Sequence, residues 1–500
     1  MAEDSTVESA IAAAALADSH KKEGNALYHA QDYVGAVLKY QAAVDAGPPR
    51  EALPMLYQNM SAAKYQLKQY AESIEDATKA IMIDPTFLKA HLRRGKALAA
   101  LGNWHQARNA YAAAIAVTPN STEAQIGRIE AEQALVAQYY KPYNETMTNA
   151  QVRYINPTRG KGVVTLKELQ YGTEVFHEAP VVSHRFVGAE ENSAIPACSH
   201  CLQTRLTPDM MGPFAVLHSE VYPSGTPSFL SCEKCFVPYE QYCSAKCRTQ
   251  AWDDYHSVFC AKDRELAKIH PITELYALCR KHNRTNPLII ARAFAMSLTG
   301  VTSGRFSNMQ DTFQRFGNFI ASEEQTPHDA EEFALILNAF SPPHRKLMEI
   351  VLTIQNFRML DGAIMRNAQR LNPVSDLHAM IDRLAQIDAH KLAAVLGKIG
   401  FKIPQLPGLR MSTPMRSLTV SGSGLFEIGN TMNHSCQPNV VSMTRATDFT
   451  LSVVAVATIP VNTEVCISYI DTDLPKAKRQ AALEELYYFS CSCAKCQSED

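Results

Sequence analysis

The sequence predicts an α+β multidomain chain: a helical amino-terminal solenoid, then a β-rich domain interrupted by a cysteine-rich finger and a helical insert, closed by a terminal cysteine segment. Three observations predict it. Roughly the first 120 residues repeat with a period close to thirty-four. Short cysteine pairs crowd the stretch from 198 to 260, and Phe449 to Val456 and Glu464 to Ile470 read as two strands around a turn, shortly before Cys491-x-Cys493-x2-Cys496.

At 500 residues and 46% apolar content the chain can bury several cores, and its length suggests about three domains. Its start, Met1-Ala2-Glu3-Asp4, is acidic, and the alanine-rich run from Ala10 to Ala17 is too short to span a bilayer and lacks a basic leader. The expected address is therefore cytoplasmic, with nuclear entry left open. A net charge of -2 and a pI near 6.8 give no general attraction to nucleic acid. Thirteen cysteines in an unexported chain read as metal ligands, because the cytosol keeps thiols reduced.

After a flexible start over 1–16, residues 17–140 carry the repeat. Setting Gly24, Ser61 and Gly95 in register aligns Tyr33, Tyr70 and Trp104, then Ala36, Ser73 and Ala107, then Ala43, Ala80 and Ala114, and then Pro48, Pro85 and Pro119. Small residues let paired helices approach, aromatics fill the gaps, and each proline ends a helix. Residues 122 to 140 read as a capping helix. The pattern resembles three tetratricopeptide repeats. Lys21 and Asn25, Asn59, and Lys89 and Arg93 put five polar donors on the first helices of the repeats. They match the carboxylate clamp of chaperone-binding tetratricopeptide domains, and the resemblance implies docking of Glu-Glu-Val-Asp tails of heat-shock chaperones.

The next segment, 150–197, contains Arg159-Gly160-Lys161-Gly162, Gly172-Thr173-Glu174 and Glu178-Ala179-Pro180. Glycine pairs of this kind alone mark turns. From 198 to 260 come Cys198-x2-Cys201, Cys232-x2-Cys235, Cys243-x3-Cys247 and His256-x3-Cys260, eight donors for two tetrahedral zinc sites. Thirty residues rich in Pro and Gly separate Cys201 from Cys232, a loop expected to leave ligation intact. From 261 to 410 apolar residues recur at helical spacing in Leu288 to Leu298, Lys346 to Met359 and Leu377 to Leu396, with no reactive constellation. The histidines at 270, 282, 344, 378 and 390 are scattered and read as surface or satisfied core residues.

The core from 411 to 475 contains Asn433-His434-Ser435-Cys436-Gln437-Pro438-Asn439 and Tyr469, and the tail from 476 to 500 supplies Cys491, Cys493 and Cys496. Three thiolates fall one short of a closed tetrahedral zinc site, and Cys436 is the natural fourth. Such a site pins the tail against the 433 to 439 loop, so its metal shapes a pocket instead of doing chemistry. Cys279 and Cys466 remain as buried thiols.

The heptapeptide with its downstream tyrosine resembles the SET methyltransferase fold, and more narrowly the family that joins SET and MYND domains. The 159 to 180 stretch is similar to the opening hairpins of that fold. The 198 to 260 pattern resembles a MYND finger, which implies cross-bracing: Cys198, Cys201, Cys243 and Cys247 on one zinc, and Cys232, Cys235, His256 and Cys260 on the second. The resemblance further implies three Zn2+ and S-adenosylmethionine as cofactors. It places Arg159, Lys161, Asn433, His434 and Phe489 at the methyl donor, Tyr469 at the transferred methyl group, and Tyr487 and Phe489 along a lysine channel. The implied activity is methylation of a protein lysine, histone or otherwise. An adaptor whose core has lost activity stays open beside it.

Overall fold

The computed structural model describes residues 2–187, 195–211, 215–222, 224–235, 239–317, 319, 325–371, 381, 388–398, 420–445 and 450–499. They form two compact bodies, Met1–Gly162 and Val163–Asp500.

The first body is a run of antiparallel helix pairs: α1 (Ala2–His29) with α2 (Tyr33–Asp45), α3 (Leu53–Gln66) with α4 (Tyr70–Ile83), and α5 (Leu88–Ala100) with α6 (Trp104–Val117). The long helix α7 (Thr122–Thr146) covers the last pair. Ala36, Ala43, Ala80, Ala107 and Ala114, all repeat positions, are fully buried between helices. A Cβ on Gly24 would sit 2.7 Å from the Tyr40 ring, and one on Gly95 2.7 Å from the Tyr111 ring. In the middle repeat Ser61 replaces the glycine and Ala77 the tyrosine, and the Ser61 hydroxyl bonds Ser73 Oγ at 2.9 Å. A larger residue on one helix is matched by a smaller one on its partner.

The turn between the helices of each pair carries a left-handed residue at the same register, Gln31, Lys68 and Gly102, with φ of 64, 60 and 75°. Only the last is the glycine that this conformation favours. Strand β1 (Ala150–Asn156) docks on α7, where the Asn144 amide bonds both the N–H and the carbonyl of Val152.

Among the described residues, three small sheets frame the second body, and a two-stranded pair of Leu230–Ser231 with Gln241–Tyr242 lies in the finger. β2 (Gly160–Thr165) contributes Val163 and Val164, which pair antiparallel with Val465 and Glu464, while the Glu464–Ile467 strand runs parallel to Asn433–His434 on its other side. β3 (Glu174–Glu178) lies antiparallel to Leu451–Ala455, which pairs in turn with Val440–Thr444. β4 (Val182–Arg185) and Gln369–Leu371 flank Gly422–Leu425. At Gly422 a Cβ would lie 2.6 Å from the His184 carbonyl, so the close approach of strands requires glycine there.

Helix Asn286–Thr302 runs through the middle of this body and is apolar on nearly every face, with Ile289, Ile290 and Phe294 fully buried. Its one buried charge, Arg292, spans two parts of the fold. The guanidinium donates to the carbonyls of Ser183 on β4 and Ser199 in the finger, stacks on Tyr255 and lies 3.6 Å from Glu240. A buried guanidinium bonded at several donors is costly to strand, which makes Arg292 a clasp between sheet and finger.

Several expectations are corrected. The start read as flexible over 1–16 lies within a helix that runs from Ala2 to His29, consistent with its alanine-rich composition. The capping helix read over 122 to 140 continues to Thr146, with Pro142 inside it. The Lys346 to Met359 helix is broken: one helix ends at Leu347, and the next begins at Ile354 with the Thr353 hydroxyl capping the Asn356 N–H at 3.1 Å. Of Leu377 to Leu396, positions 377–380 and 382–387 lie outside the described residues, as does His378, and a helix spans Ala389–Lys398. The loop from Leu202 to Ser231 is folded where described, burying Leu202, Leu206 and Leu217, and Arg205 bonds the carbonyls of Pro227 and Ser228. The strand read as Glu464 to Ile470 ends at Ile467, because the Ser468 hydroxyl takes over the backbone of Ile470 and bends the chain. Of the strand Phe449 to Val456, Leu451–Ala455 is extended and Phe449 lies outside the described residues.

Candidate active site and its thiolate clusters

Tyr469 sits just past that bend. Its hydroxyl donates to the Met432 carbonyl at 2.6 Å, and its backbone N–H donates to His434 Nδ1 at 3.1 Å. His434 is buried, with Nε2 3.3 Å from Cys436 Sγ. The imidazole therefore bridges the Tyr469 backbone and a thiolate cluster. Asn433 is held by its side-chain N–H on Glu464 Oε1 at 2.7 Å. The motif's last residue, Asn439, works as a strand-mimicking clamp: its amide donates to the Glu464 carbonyl at 2.9 Å and accepts from the Cys466 N–H at 2.8 Å. The whole heptapeptide is thus stitched along the Glu464–Ile467 strand, and the site's geometry follows from that stitching.

Aromatic rings stand around Tyr469. Tyr487 lies 4.9 Å away, Phe489 lies 6.4 Å away edge-on, and Phe489 is 6.0 Å from His434. Burial pushes the Tyr487 hydroxyl's pKa up, keeping it neutral. Tyr487 ends helix Lys476–Tyr487, and Tyr488 then takes a left-handed turn with φ of 60°, which swings Phe489 back toward the motif. The Tyr488 ring faces Arg366, whose guanidinium donates to its hydroxyl at 2.8 Å.

Below this site Glu178, at the end of β3, receives the N–H groups of Ile428 and Gly429. These bonds fix the short turn Gly429–Thr431 that leads into Met432. Burial drives the Glu178 carboxyl up to about 7, the nearby Glu427 adds to the rise, and the two backbone bonds oppose it. Glu427 is itself paired with Arg315 at 2.7 Å.

The twelve metal-ligand candidates gather in the groups that the MYND resemblance implied for the finger and that the tetrahedral count required for the tail. Cys198, Cys201, Cys243 and Cys247 form one cluster; Cys232, Cys235, His256 and Cys260 a second; Cys436, Cys491, Cys493 and Cys496 a third. Within each, the donor atoms lie within 4.8 Å of one another. The edge of a tetrahedron with Zn–S bonds of about 2.3 Å is about 3.8 Å. The separations of 3.5 Å for Cys201–Cys243, 3.8 Å for Cys232–Cys260 and 3.5 Å for Cys436–Cys496 suit that ion. One helical run serves both finger clusters: Cys247 lies on Ala245–Ala251, and the wider π turn Trp252–His256 brings His256 round to the second. Cys279 and Cys466 are buried outside all three clusters.

In the first body, Asn25 and Asn59 are joined directly, Nδ2 of Asn59 donating to Oδ1 of Asn25 at 3.2 Å, and the Tyr40 hydroxyl donates to the same oxygen at 2.8 Å. Lys21 pairs with Asp18, Arg93 stands over the Tyr65 ring, and Lys89 is exposed. Lys161 lies over the Tyr140 ring with its amine 3.2 Å from the hydroxyl; like Arg159, it falls in this body.

The family whose sequence profile matches is described as "SET domain", over residues 160–470, well over half of the chain. The chain belongs to the SET-domain family. It is 28% identical over 375 residues to the protein-lysine N-trimethyltransferase SMYD5 of Danio rerio, spanning 70% of this chain and 87% of that protein. It is 22% identical to the human protein-lysine N-methyltransferase SMYD4 over 96% of this chain and 66% of the relative. Among solved structures, the first TPR of Spaghetti (RPAP3) bound to an HSP90 peptide matches with 29% identity and a TM-score of 0.23, covering 24% of this chain and 94% of that one.

Sequence reasoning missed the residues that hold the SET site in place: Met432 as hydroxyl acceptor, Glu464 and Glu178 as anchors of the motif, and Gln480, whose amide bonds the backbone of Cys491 at both its N–H and its carbonyl. A backbone acceptor leaves no mark in residue identity. The two glutamates are signalled only by being acidic residues at the ends of apolar strands. Among the described residues, no helix is long and apolar enough to cross a membrane.

Proposed function

We propose that this chain is an S-adenosylmethionine-dependent protein-lysine N-methyltransferase. The observation that carries the reading is the Tyr469 hydroxyl, held on the Met432 carbonyl inside a ring of Tyr487, Phe489 and His434. When bound, the cofactor supplies a methyl group on a sulfonium. The neutral lysine nitrogen would take that methyl group, the carbon–sulfur electron pair staying with sulfur, and the amine's extra proton would leave to water.

The protein's part is to align and dry the reactants. The Tyr469 proton is committed to Met432, so its oxygen faces the channel as an acceptor, suited to orient an amine N–H or a polarised methyl C–H. Tyr487 and Phe489 strip water from the incoming lysine, which disfavours the ammonium form and frees the lone pair without a dedicated base. Asn433, His434 and Phe489 hold the methyl donor. Alignment of this kind supplies much of the rate. The three clusters hold Zn2+, and the third fixes the channel wall through Cys491, two residues beyond Phe489.

The Asn25–Asn59 bridge, with Lys21, Lys89 and Arg93 on the first helices of the same repeats, supports a second role for the first body: holding the carboxylates of acidic peptide tails such as those of heat-shock chaperones. Each charge-assisted bond is worth roughly 1.5–3 kcal/mol.

The decisive experiment incubates labelled cofactor and a cell lysate with wild type and with Tyr469→Phe. Wild type labels protein and the variant does not; equal labelling by both rejects the assignment. Titration with a peptide ending Glu-Glu-Val-Asp tests the clamp separately, and no binding at micromolar concentration removes it.

A further inference from the structure

The third thiolate cluster has a cation built into it. Arg479, on helix Lys476–Tyr487, is 1% exposed and ranks among the largest fully buried side chains of the described chain. One terminal nitrogen donates to the Leu474 carbonyl at 2.6 Å. The other lies 3.6 Å from Cys496 Sγ and 2.6 Å from Glu499 Oε2. One of the four ligand sulfurs, that of Cys496, therefore lies against a buried positive charge. Glu499 is about one-third exposed, so solvent screens its carboxylate more than it screens the guanidinium.

We propose that Arg479 is a positioning residue of this centre: its buried charge offsets the excess negative charge of a four-thiolate zinc site and locks the channel-wall helix to the metal. Four thiolates on one Zn2+ leave a net charge of about -2, which is costly to bury. A guanidinium donating to ligand sulfur lowers that cost and draws electron density from the sulfur, as outer partners of metal ligands do. Because Arg479 shares a helix with Tyr487, and Gln480 beside it bonds the Cys491 backbone, metal occupancy is communicated to the aromatic wall. In the finger, by comparison, Arg205 donates to the backbone carbonyl of Cys243. The inference rests on the zinc reading of the third cluster.

The test is metal retention by full-length protein under a chelator, which does not depend on methyl transfer. Wild type starts with three zinc equivalents. Arg479→Met, which keeps the length and loses the charge, is expected to release one equivalent about 10- to 100-fold faster and to keep the other two, which also shows that it has folded. Arg479→Lys, which keeps the charge, is expected to stay within about threefold of wild type. Release by Arg479→Met at the wild-type rate overturns the proposal, as does equally fast release by both variants, which would make the role one of packing alone. Wild type holding only two equivalents would instead overturn the zinc reading of the cluster.

Discussion

The Tyr469 hydroxyl and the Met432 carbonyl, thirty-seven positions apart, are joined by a 2.6 Å hydrogen bond that fixes which way the phenol oxygen faces. In the proposed mechanism the hydroxyl contributes orientation, so its removal should act on turnover and spare binding. Tyr469→Phe is expected to lower kcat by about 100-fold, the scale of losing alignment at a reacting atom, while the cofactor Kd changes little. Single-turnover kinetics and calorimetry measure the two separately. A raised Kd with unchanged kcat would place Tyr469 in cofactor binding instead.

Cys493 supplies one donor of the third cluster, four positions beyond Phe489. Cys493→Ser is expected to lower metal content from three equivalents to two and to abolish methyl transfer. Amide exchange should rise from Tyr487 onward, with the finger unaffected. Mass spectrometry of the native protein and of exchanged peptides reads both. Full activity with two metals would separate the cluster from the channel.

Glu178 sets a pH dependence. Its carboxyl ionises near 4.5 in an ordinary setting and at about 7 in the fold. Between those values the native state binds more protons than the unfolded one, so stability falls as pH rises through this window and the full penalty is present above 7. The difference corresponds to about 3 kcal/mol. From pH 6 to 8 wild type is expected to lose part of that in denaturant unfolding, and Glu178→Gln to show a flatter profile. Equal slopes would show that Glu178 is not the titrating group.

Gly24 faces the Tyr40 ring so closely that a methyl group would lie 2.7 Å from it, and Tyr40 is pinned by its bond to Asn25. Gly24→Ala gains helix propensity of at most about 1 kcal/mol but overpacks the pair by about 1–3 kcal/mol. A net loss of stability is expected, together with weaker binding of an acidic tail peptide, because the moved phenol no longer holds Asn25. Unfolding curves and peptide titration test the two effects. A variant as stable as wild type would mean that the helices can slide apart freely.

Much of this was legible in the sequence because its signals are local. The repeat register announced which alanines would be buried, the pair spacing announced eight finger donors, the resemblance to a MYND finger implied how they pair, and the tetrahedral count named Cys436 as the fourth donor of the tail. What escaped depends on contacts made across hundreds of positions or through the backbone. Nothing local distinguishes Arg292 or Arg479 from a surface arginine, although both are buried. Ser468 ended a strand that its apolar pattern would have continued, since a hydroxyl can outbid the sheet for nearby backbone groups. Thr353 opened a new helix by its cap, inside a stretch whose apolar spacing ran straight through.

The pairing of β3 with the Leu451–Ala455 strand carries a consequence for how the molecule matures. Glu174 and Ser452, bonded across it, are separated by 278 positions, and all of the finger and the helical insert lie in between. Closing so long a loop costs entropy and slows assembly unless the intervening chain has already condensed. On the proposed zinc reading, loading of the finger, with Arg292 clasping it to β4, would shorten the effective loop, so scarcity of the ion would delay completion of this sheet long before it starved any finished enzyme.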